Sequence, residues 1–205
     1  MTQPVVLIGG GGHAKSLLNA DCDVNFAGYV DRHPSPGFEL PYLGDDSDFL
    51  AKSPIEQPAV HIAFVSGPDC TMAARRRIIE RYRAYRSATL VAATASIAPG
   101  TTLGYGCALL RGAIVNGARL GAYCVVNTGA IVEHDVRLGE NVFVGPGAVV
   151  CGGVTAGDDC YVGAGAIVRN GVSICSGVTV GMGAVVVRDI TEAGTYVGNP
   201  ARKIR

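Results

Sequence analysis

The feature that most constrains this sequence is an apolar side chain that returns at every sixth residue from Leu120 to Val186. A second small apolar residue stands two positions before each of these. An α-helix repeats about every 3.6 residues and a strand about every two, so neither element produces this spacing. A six-residue period with Gly, Asn or Asp between the apolar pairs is typical of a parallel β-helix, in which three short strands and their tight turns complete one triangular coil. The first series is Leu120, Val126, Val132, Leu138, Val144, Val150, Ala156, Val162, Val168, Ile174, Val180 and Val186, and the second is Ala118, Cys124, Ala130, Val136, Val142, Ala148, Val154, Cys160, Ala166, Val172, Val178 and Ala184.

An earlier apolar run keeps the same period but lies one residue out of phase with Leu120. Its members are Ile97, Leu103, Leu109 and Val115. The β-helix is therefore predicted to begin near residue 95 and, at about 18 residues and about 4.8 Å of rise per coil, to contain roughly five coils. The spacing alone leaves the handedness of the β-helix open.

The composition narrows the class of ligand. The 205 residues carry no formal net charge, with 48% hydrophobic and 17% charged residues. We therefore expect neither a nucleic-acid partner nor binding to an anionic membrane. No apolar stretch approaches the roughly 20 residues of a membrane helix and the start of the chain does not resemble a signal peptide, which predicts a cytoplasmic protein. Two of the seven cysteines, Cys124 and Cys160, fall on interior positions of the repeat, where we expect reduced side chains that pack as small hydrophobic groups.

The start of the chain predicts a different domain, a Rossmann-like α/β unit over residues 1–90, followed by the β-helix over residues 91–205. Its buried strands are expected over residues 5–8, 26–30 and 59–65. A basic amphipathic helix follows the third strand, and we expect its arginines to form a solvated face. These arginines are Arg75, Arg76, Arg77, Arg81 and Arg83.

A glycine-rich loop joins the first strand of this unit to a helix. The loop runs from Gly9 to Gly12 and is followed by His13. Asp31, at the end of the second strand, lies about twenty residues after the loop. Amide N–H groups near a helix N-terminus suit a phosphate, and an acid at this spacing contacts a ribose in dinucleotide-binding folds. The glycines also have a steric interpretation as a sharp strand-to-helix turn, and His13 could instead cap its own helix.

His134 is the sharpest chemical signal in the repeat, because it is flanked by Glu133 and Asp135 at a predicted exposed corner. A histidine with an ordinary pKa near 6.5 can act as a neutral base, and a neighbouring carboxylate can orient its ring. Gly152 follows three hexapeptides later, one coil above His134, where its N–H could stabilise an oxyanion. The alternatives are an exposed histidine in a charged turn and a glycine required by a tight corner.

A zinc site is not expected. The other three histidines, His13, His33 and His61, belong to the first domain, which leaves a single imidazole in the repeat. A catalytic zinc needs about three such protein ligands.

Taken together, these residues resemble the hexapeptide-repeat acyltransferases, and more narrowly the bacterial sugar acetyltransferases similar to the sialic acid O-acetyltransferase type. The similarity covers nearly the whole chain through Ile8 to His13, Asn127-Thr128, Glu133-His134-Asp135, and Val197 to Ala201. It implies a left-handed β-helix after a nucleotide-sugar domain, and homotrimers with active sites between subunits, which agrees with the way a flat-faced prism packs around a threefold axis. It further implies acetyl-CoA-dependent N-acetylation of a nucleotide-linked amino sugar, such as a 4-amino-4,6-dideoxy sugar, in bacterial surface glycan biosynthesis.

The resemblance also implies roles for individual residues. His134 is expected to be the general base, Asp135 its carboxylate partner, and Gly152 the donor to the thioester carbonyl, in a direct transfer without an acyl-enzyme. The substrate-binding residues are expected to be Gly10, Gly12, His13, Asp31, Arg32 and Asn127. The acetyl-CoA-binding residues are expected to be Gly152, Gly153, Ala164 and Met182.

Several alternatives stay open at this stage. The acceptor could be a hydroxyl of sialic acid or another sugar, and a non-catalytic binding protein could keep the same scaffold. The nucleotide base could be uridine, guanosine or thymidine, and either Glu133 or Asp135 could partner the histidine. A covalent route through Cys151 is disfavoured because no histidine lies near it in sequence.

Overall fold

The computed structural model describes residues 3–65 and 71–204. The chain divides into two compact units, residues 1–93 and residues 94–205. The boundary predicted from the sequence lies between residues 90 and 91. No helix in the described ranges has the length and apolar character of a membrane span.

The first unit is built around a parallel three-stranded sheet with the strand order β2-β1-β3. All four residues of β1 and all four of β3 are buried, as expected for strands covered on both faces. The elements in chain order are β1 (Val5–Ile8), α1 (Gly12–Leu18), β2 (Phe26–Val30), α2 (Asp46–Ala51), β3 (Ala59–Ile62), α3 (Met72–Arg81) and β4 (Leu90–Val91).

Local sequence signals explain where two of the helices begin. Asp45 caps α2, accepting the N–H groups of Ser47 and Asp48 at 2.8 and 3.0 Å. Thr71 caps α3 in the same way, through the N–H of Ala74 at 3.2 Å. Such side-chain acceptors satisfy amide groups that the first turn of a helix leaves without partners.

The second unit is a parallel β-helix with three flat faces. Face 1 contains β5 (Ser96–Ile97), β8 (Ile114–Val115), β11 (Ile131–Val132), β14 (Val149–Val150), β17 (Ile167–Val168) and β20 (Val185–Val186). Face 2 contains β6 (Thr102–Leu103), β9 (Arg119–Leu120), β12 (Arg137–Leu138), β15 (Thr155–Ala156) and β18 (Ser173–Ile174). Face 3 contains β7 (Ala108–Leu109), β10 (Val125–Val126), β13 (Phe143–Val144), β16 (Tyr161–Val162) and β19 (Val178–Val180), followed by β21 (Gly194–Val197) and the antiparallel β22 (Arg202–Lys203).

Strand pairing fixes the height of each residue along the β-helix. Ile131 pairs with Val149, and Val149 pairs with Ile167, so each of these coils spans three full hexapeptides. Below β11 the register shortens by one position, because Ile131 pairs with Ile114 rather than with Ala113. The missing residue lies in the turn between β8 and β9, which is one residue shorter than the turn between β11 and β12. This deletion is the physical origin of the phase shift in the sequence.

The interior of the β-helix contains every residue of the two apolar series described above, each no more than 5% exposed. The two interior positions flank one outward-facing residue, which is the alternation that a strand imposes. Ile97 in the first coil departs from this pattern and is 40% exposed.

Each corner of the β-helix is named here by the faces it joins, in chain order. Corner 1–2 follows the strands of face 1, corner 2–3 those of face 2, and corner 3–1 those of face 3. The second residue of a two-residue turn commonly adopts a left-handed backbone conformation, as Gly153 does with φ of 72°. Glycine tolerates this conformation without steric cost, which explains its recurrence in the turns.

Candidate active site

His134 lies at corner 1–2, in the turn after β11. Its side chain is 68% exposed, so the imidazole is accessible to a ligand from solvent. Because each coil here spans three hexapeptides, Gly152 and Asn170 stand above it at the same turn position, one and two coils higher.

Asp135 holds the imidazole. Its Oδ2 lies 2.9 Å from Nδ1 of His134, so the ring donates its Nδ1–H and keeps the lone pair of Nε2 as a base. Asp135 has φ of 60°, whereas Gly153 and Gly171 occupy this turn position in the two coils above. A short polar residue tolerates the left-handed conformation better than most, and here it brings a carboxylate to the ring. Of the two flanking acids, Asp135 is therefore the one that contacts the imidazole.

The electrostatic environment favours the protonated imidazole. The hydrogen bond to Asp135 raises the pKa of His134 above its ordinary value of 6.5. Desolvation opposes this rise, and the negative charges of Asp135 and Glu133 add to it. The ring is therefore a stronger base than a free histidine and needs a higher pH to be neutral.

Glu133 is held from the coil below. The Nδ2 of Asn116 donates to its Oε2 at 3.0 Å, and the backbone N–H of His134 lies 3.4 Å from the same oxygen. The shortened turn after β8 places Asn116 beneath Glu133. This carboxylate braces the backbone of the histidine and does not contact its ring.

Gly152 lies directly against the imidazole. A Cβ added to Gly152 would stand 2.6 Å from both Cε1 and Nε2 of His134, closer than any carbon contact allows. The backbone of Gly152 is not left-handed, so the turn itself does not require glycine here. The absence of a side chain is therefore explained by the ring of His134 rather than by a tight corner.

The two amide groups of this glycine pair differ. The N–H of Gly153 donates to the carbonyl oxygen of His134 at 2.9 Å and is committed to the ladder between coils. In the described part of the chain, the N–H of Gly152 has no hydrogen-bond acceptor. Gly152 is therefore the residue of the pair whose backbone N–H can still donate to a ligand beside Nε2 of His134. Gly153 offers a ligand only a surface without a side chain.

Asn127, Ala164 and Met182 lie at a different corner. All three belong to corner 3–1, where Ala164 and Met182 share one turn position and Met182 is 78% exposed. The Oδ1 of Asn127 accepts the N–H of Thr128 at 2.7 Å. Face 1 lies between these three residues and His134; within one coil, β11 runs from the corner of Asn127 to the corner of His134. A single chain therefore does not bring Asn127, Ala164 and Met182 next to His134.

In the first unit, Asp31 closes the glycine loop. Its Oδ2 accepts the N–H of Gly10 at 2.8 Å and its Oδ1 accepts the N–H of Arg32 at 2.7 Å. A Cβ on Gly10 would meet Ser35 and Tyr29 at 2.6 Å, so the steric interpretation of the loop holds at Gly10. It does not hold at Gly12, where a Cβ would meet nothing within 4 Å.

His13 is a neutral residue at physiological pH. Burial, followed by the nearby His61 and Arg75, lowers its pKa to about 3, and burial lowers the pKa of His61 to about 4. The Nδ1 of His61 donates to the carbonyl oxygen of Ala88 at 2.9 Å. A neutral His13 can offer a hydrogen bond to a ligand but no positive charge.

The expectation of a fully solvated arginine face on α3 was wrong for Arg75, which is only 1% exposed. Its Nε donates to the carbonyl oxygen of Phe64 at 2.9 Å. Arg75 shares the helical spacing of the buried residues Met72 and Ile79, three positions before it and four after. That spacing was the signal in the sequence that Arg75 lies on the inner face.

Cys151 is closer to the imidazole than its sequence position suggested, because it lies one coil above Glu133. In the described residues no hydrogen bond joins its thiol to His134. Cys124 and Cys160 are buried and not in disulfides. The described ranges contain no group of three His, Cys, Asp or Glu side chains that could hold a metal ion.

Comparison with known proteins gives two matches to family profiles. Residues 117–152 match the bacterial transferase hexapeptide (six repeats), and residues 153–188 match the hexapeptide repeat of succinyl-transferase. A search of curated protein sequences finds no match.

Solved structures match the whole chain. PerB from Caulobacter crescentus, in complex with CoA and GDP-perosamine, is 31% identical with a TM-score of 0.88, over 100% of this chain and 99% of that one. The acetyltransferase domain of PglB from Neisseria gonorrhoeae is 30% identical with a TM-score of 0.86, over 99% of this chain and 100% of that one, and has also been solved with acetyl coenzyme A.

These similarities define the class of protein. The chain belongs to the hexapeptide-repeat sugar acetyltransferases, and it is an acyltransferase. The predicted fold, a Rossmann-like α/β unit followed by a left-handed parallel β-helix, is confirmed.

Proposed function

We propose that this protein transfers the acetyl group of acetyl-CoA to the amino group of a nucleotide-linked 4-amino-4,6-dideoxy sugar. The observation that carries the proposal is corner 1–2, where a carboxylate-bound imidazole and an amide N–H without an acceptor among the described residues lie side by side. The similarity to PerB, crystallised with CoA and GDP-perosamine, supports this choice of donor and acceptor.

His134 acts as the general base. Its Nε2 takes a proton from the sugar amine as the amine nitrogen bonds to the thioester carbonyl carbon, and Asp135 stabilises the imidazolium. The N–H of Gly152 donates to the carbonyl oxygen as that oxygen gains negative charge. When the carbon–sulfur bond breaks, His134 returns the proton to the sulfur, leaving an acetamide and free CoA.

The first unit binds the nucleotide part of the acceptor. We assign this role to Gly10, Gly12, His13, Asp31 and Arg32, within the domain of residues 1–90. Gly10, Asp31 and Arg32 are joined by hydrogen bonds at the carboxyl ends of β1 and β2, the edge at which open parallel sheets bind ligands. Gly12 supports this role because packing does not explain its lack of a side chain.

A second copy of the chain completes the site. Face 1 presents an outward row of apolar residues between corner 1–2 and corner 3–1, and Ile114 and Ile167 in this row are each 41% exposed. Packing of face 1 around a threefold axis would bring His134 of one subunit towards Asn127, Ala164 and Met182 of the next. The active enzyme is then a homotrimer, which sedimentation equilibrium tests: a monomer at assay concentration would contradict it.

The proposed donor and acceptor place the reaction in the cytoplasm, in the biosynthesis of a bacterial surface glycan. The test is thiol release from acetyl-CoA with UDP-, GDP- and dTDP-linked 4-amino-4,6-dideoxy sugars, with free sialic acid in parallel. Release with one nucleotide amine supports the proposal and identifies the base. Release with sialic acid alone would replace it with O-acetylation, and no release with any acceptor, despite CoA binding, would favour a binding protein.

A further inference from the structure

One charged group beside the imidazole has no role in the proposed transfer. It is the carboxylate of Glu133, the residue before His134, which is half-buried at corner 1–2. Its Oε2 accepts a hydrogen bond from Asn116, whereas no described residue donates to its Oε1. No described Lys or Arg forms an ion pair with this carboxylate. Glu133 therefore keeps an uncompensated negative charge and an unused acceptor oxygen next to the proposed base.

The shortened turn after β8 determines what lies below His134. This turn contains one residue fewer than the turn between β11 and β12, which carries the histidine. The N–H of Asn116 donates to the carbonyl oxygen of Val132 at 2.8 Å, so Asn116 takes the position beneath Glu133. The other outward residue of the short turn is Gly117, which has no side chain. The lower side of this corner is therefore formed by Glu133 and Asn116.

The two sides of the imidazole differ in charge. Above the ring, the N–H of Gly152 offers the positive end of a peptide dipole, which suits the oxygen of a thioester. Asp135 is already bound to Nδ1 of His134 at 2.9 Å. Glu133 is therefore the carboxylate that remains available to a ligand, and its charge suits an electropositive group on the acceptor.

This distribution of charge matches an amine acceptor better than a hydroxyl acceptor. An aliphatic amine has a pKa between about 8 and 10, the range of an α-amino group and a lysine, so it arrives mainly as an ammonium ion at neutral pH. A carboxylate attracts an ammonium ion, has no charge to attract on a hydroxyl group, and repels the carboxylate of sialic acid. One side chain can therefore discriminate between these acceptors.

We propose that Glu133, held in place by Asn116, binds the protonated amine of the acceptor and so selects amino sugars over sugars with a hydroxyl at the same carbon. The inference rests on the proposed function for the class of acceptor. The bound ammonium ion loses one proton to solvent to become the attacking amine, and His134 takes a second proton as the nitrogen–carbon bond forms. Glu133 contacts the acceptor, and Asn116 is a positioning residue that acts through Glu133.

The test is equilibrium binding of matched ligands without acetyl-CoA, measured by titration calorimetry. The ligands are the UDP-, GDP- and dTDP-linked 4-amino-4,6-dideoxy sugars and the same compounds with a hydroxyl in place of the amine. Glu133→Gln removes the charge but keeps the shape of the side chain and an acceptor for Asn116. We expect this variant to raise the Kd of the amine about fivefold, the contribution of one partly exposed ion pair, and to leave the Kd of the hydroxyl compound unchanged.

Two further variants separate the charge of Glu133 from its position. Asn116→Ala should raise the Kd of the amine about twofold and leave that of the hydroxyl compound unchanged, because Glu133 loses one exposed hydrogen bond. Glu140→Gln is the matched control, since it makes the same substitution at corner 2–3 of the same coil and should change neither Kd.

Three results would overturn the proposal: equal weakening of both ligands by Glu133→Gln, an unchanged Kd for the amine in that variant, or no binding of any of the amines by the wild type. A different result would separate this proposal from the proposed function. If an amine binds in a manner that depends on the charge of Glu133 but is not acetylated, the proposed function is contradicted and the ammonium site still stands.

Discussion

A single methyl group at Gly152 should inactivate the enzyme without unfolding it. In Gly152→Ala the new Cβ would lie 2.6 Å from Cε1 and Nε2 of His134. Carbon atoms in contact stay about 3.5 Å apart or more, so the ring must move by about 1 Å. A displacement of that size at a reacting group costs roughly a hundredfold in rate, equivalent to about 2.7 kcal/mol of transition-state stabilisation.

The same change should have little effect on stability. The imidazole is 68% exposed and can swing outwards on its own side chain. An off-rotamer position of the imidazole costs about 1 kcal/mol of folding free energy. Replacing glycine by alanine at a permitted backbone conformation stabilises the protein by about 0.4–1 kcal/mol, because it lowers the conformational entropy of the unfolded chain. We therefore expect the Tm to change by less than about 3 °C.

The assay compares kcat for thiol release in four proteins: wild type, Gly152→Ala, His134→Ala and the double variant. If the methyl group that Gly152→Ala introduces acts by displacing the imidazole, this substitution should lower kcat no further in a protein that already carries His134→Ala. The effects of the two substitutions on kcat should then be strongly non-additive. Ala122→Gly removes a methyl group at the same turn position of corner 2–3 and serves as the control. Equal losses from Gly152→Ala with and without His134, or wild-type kcat in the single variant, would refute the reasoning.

His134→Ala should lower kcat about a hundredfold or more with an unchanged Tm, since the base is lost but the side chain is exposed; near-normal turnover would refute its role as base. Asp135→Asn should lower the pKa of His134, so the acidic limb of the kcat/KM profile, where activity falls as the base becomes protonated, should move to lower pH; an unmoved limb would contradict the coupling. Asp31→Ala should raise the KM for the nucleotide sugar and leave that for acetyl-CoA unchanged, and an equal rise in both would indicate general loss of structure. Cys151→Ala should keep kcat within about twofold, because direct transfer needs no thiol nucleophile, and an inactive variant would restore the covalent route.

The fold could be predicted almost completely because a strict period leaves few solutions. Each apolar residue repeats at a fixed interval, so the strands, the coils and the position of Gly152 above His134 follow from counting. The same counting identified the phase shift near Val115 but not its effect. The position of Asn116 beneath Glu133 depends on how the backbone of the shortened turn runs, which counting does not give.

The sites were harder to predict where they depend on contacts between segments. Nothing local shows that the carboxylate of Asp31 binds the N–H of Gly10, or that Arg75 is buried, because both follow from the way the strands and helices of the first unit pack. At corner 1–2 the sequence could not decide between Glu133 and Asp135, since that choice depends on the left-handed backbone at Asp135.

Because one coil equals three hexapeptides, the effect of an insertion depends on its length. Three hexapeptides added between Gly152 and Val168 would keep every corner aligned and lengthen the β-helix by about 4.8 Å without separating His134 from Gly152. One hexapeptide added between His134 and Gly152 would keep the strands and the buried core but turn everything beyond it by one face. The imidazole and its glycine would then lie on different corners, so a change that the fold tolerates would abolish the chemistry. Natural variation in this architecture should therefore conserve the interval between these two residues more strictly than the total number of coils.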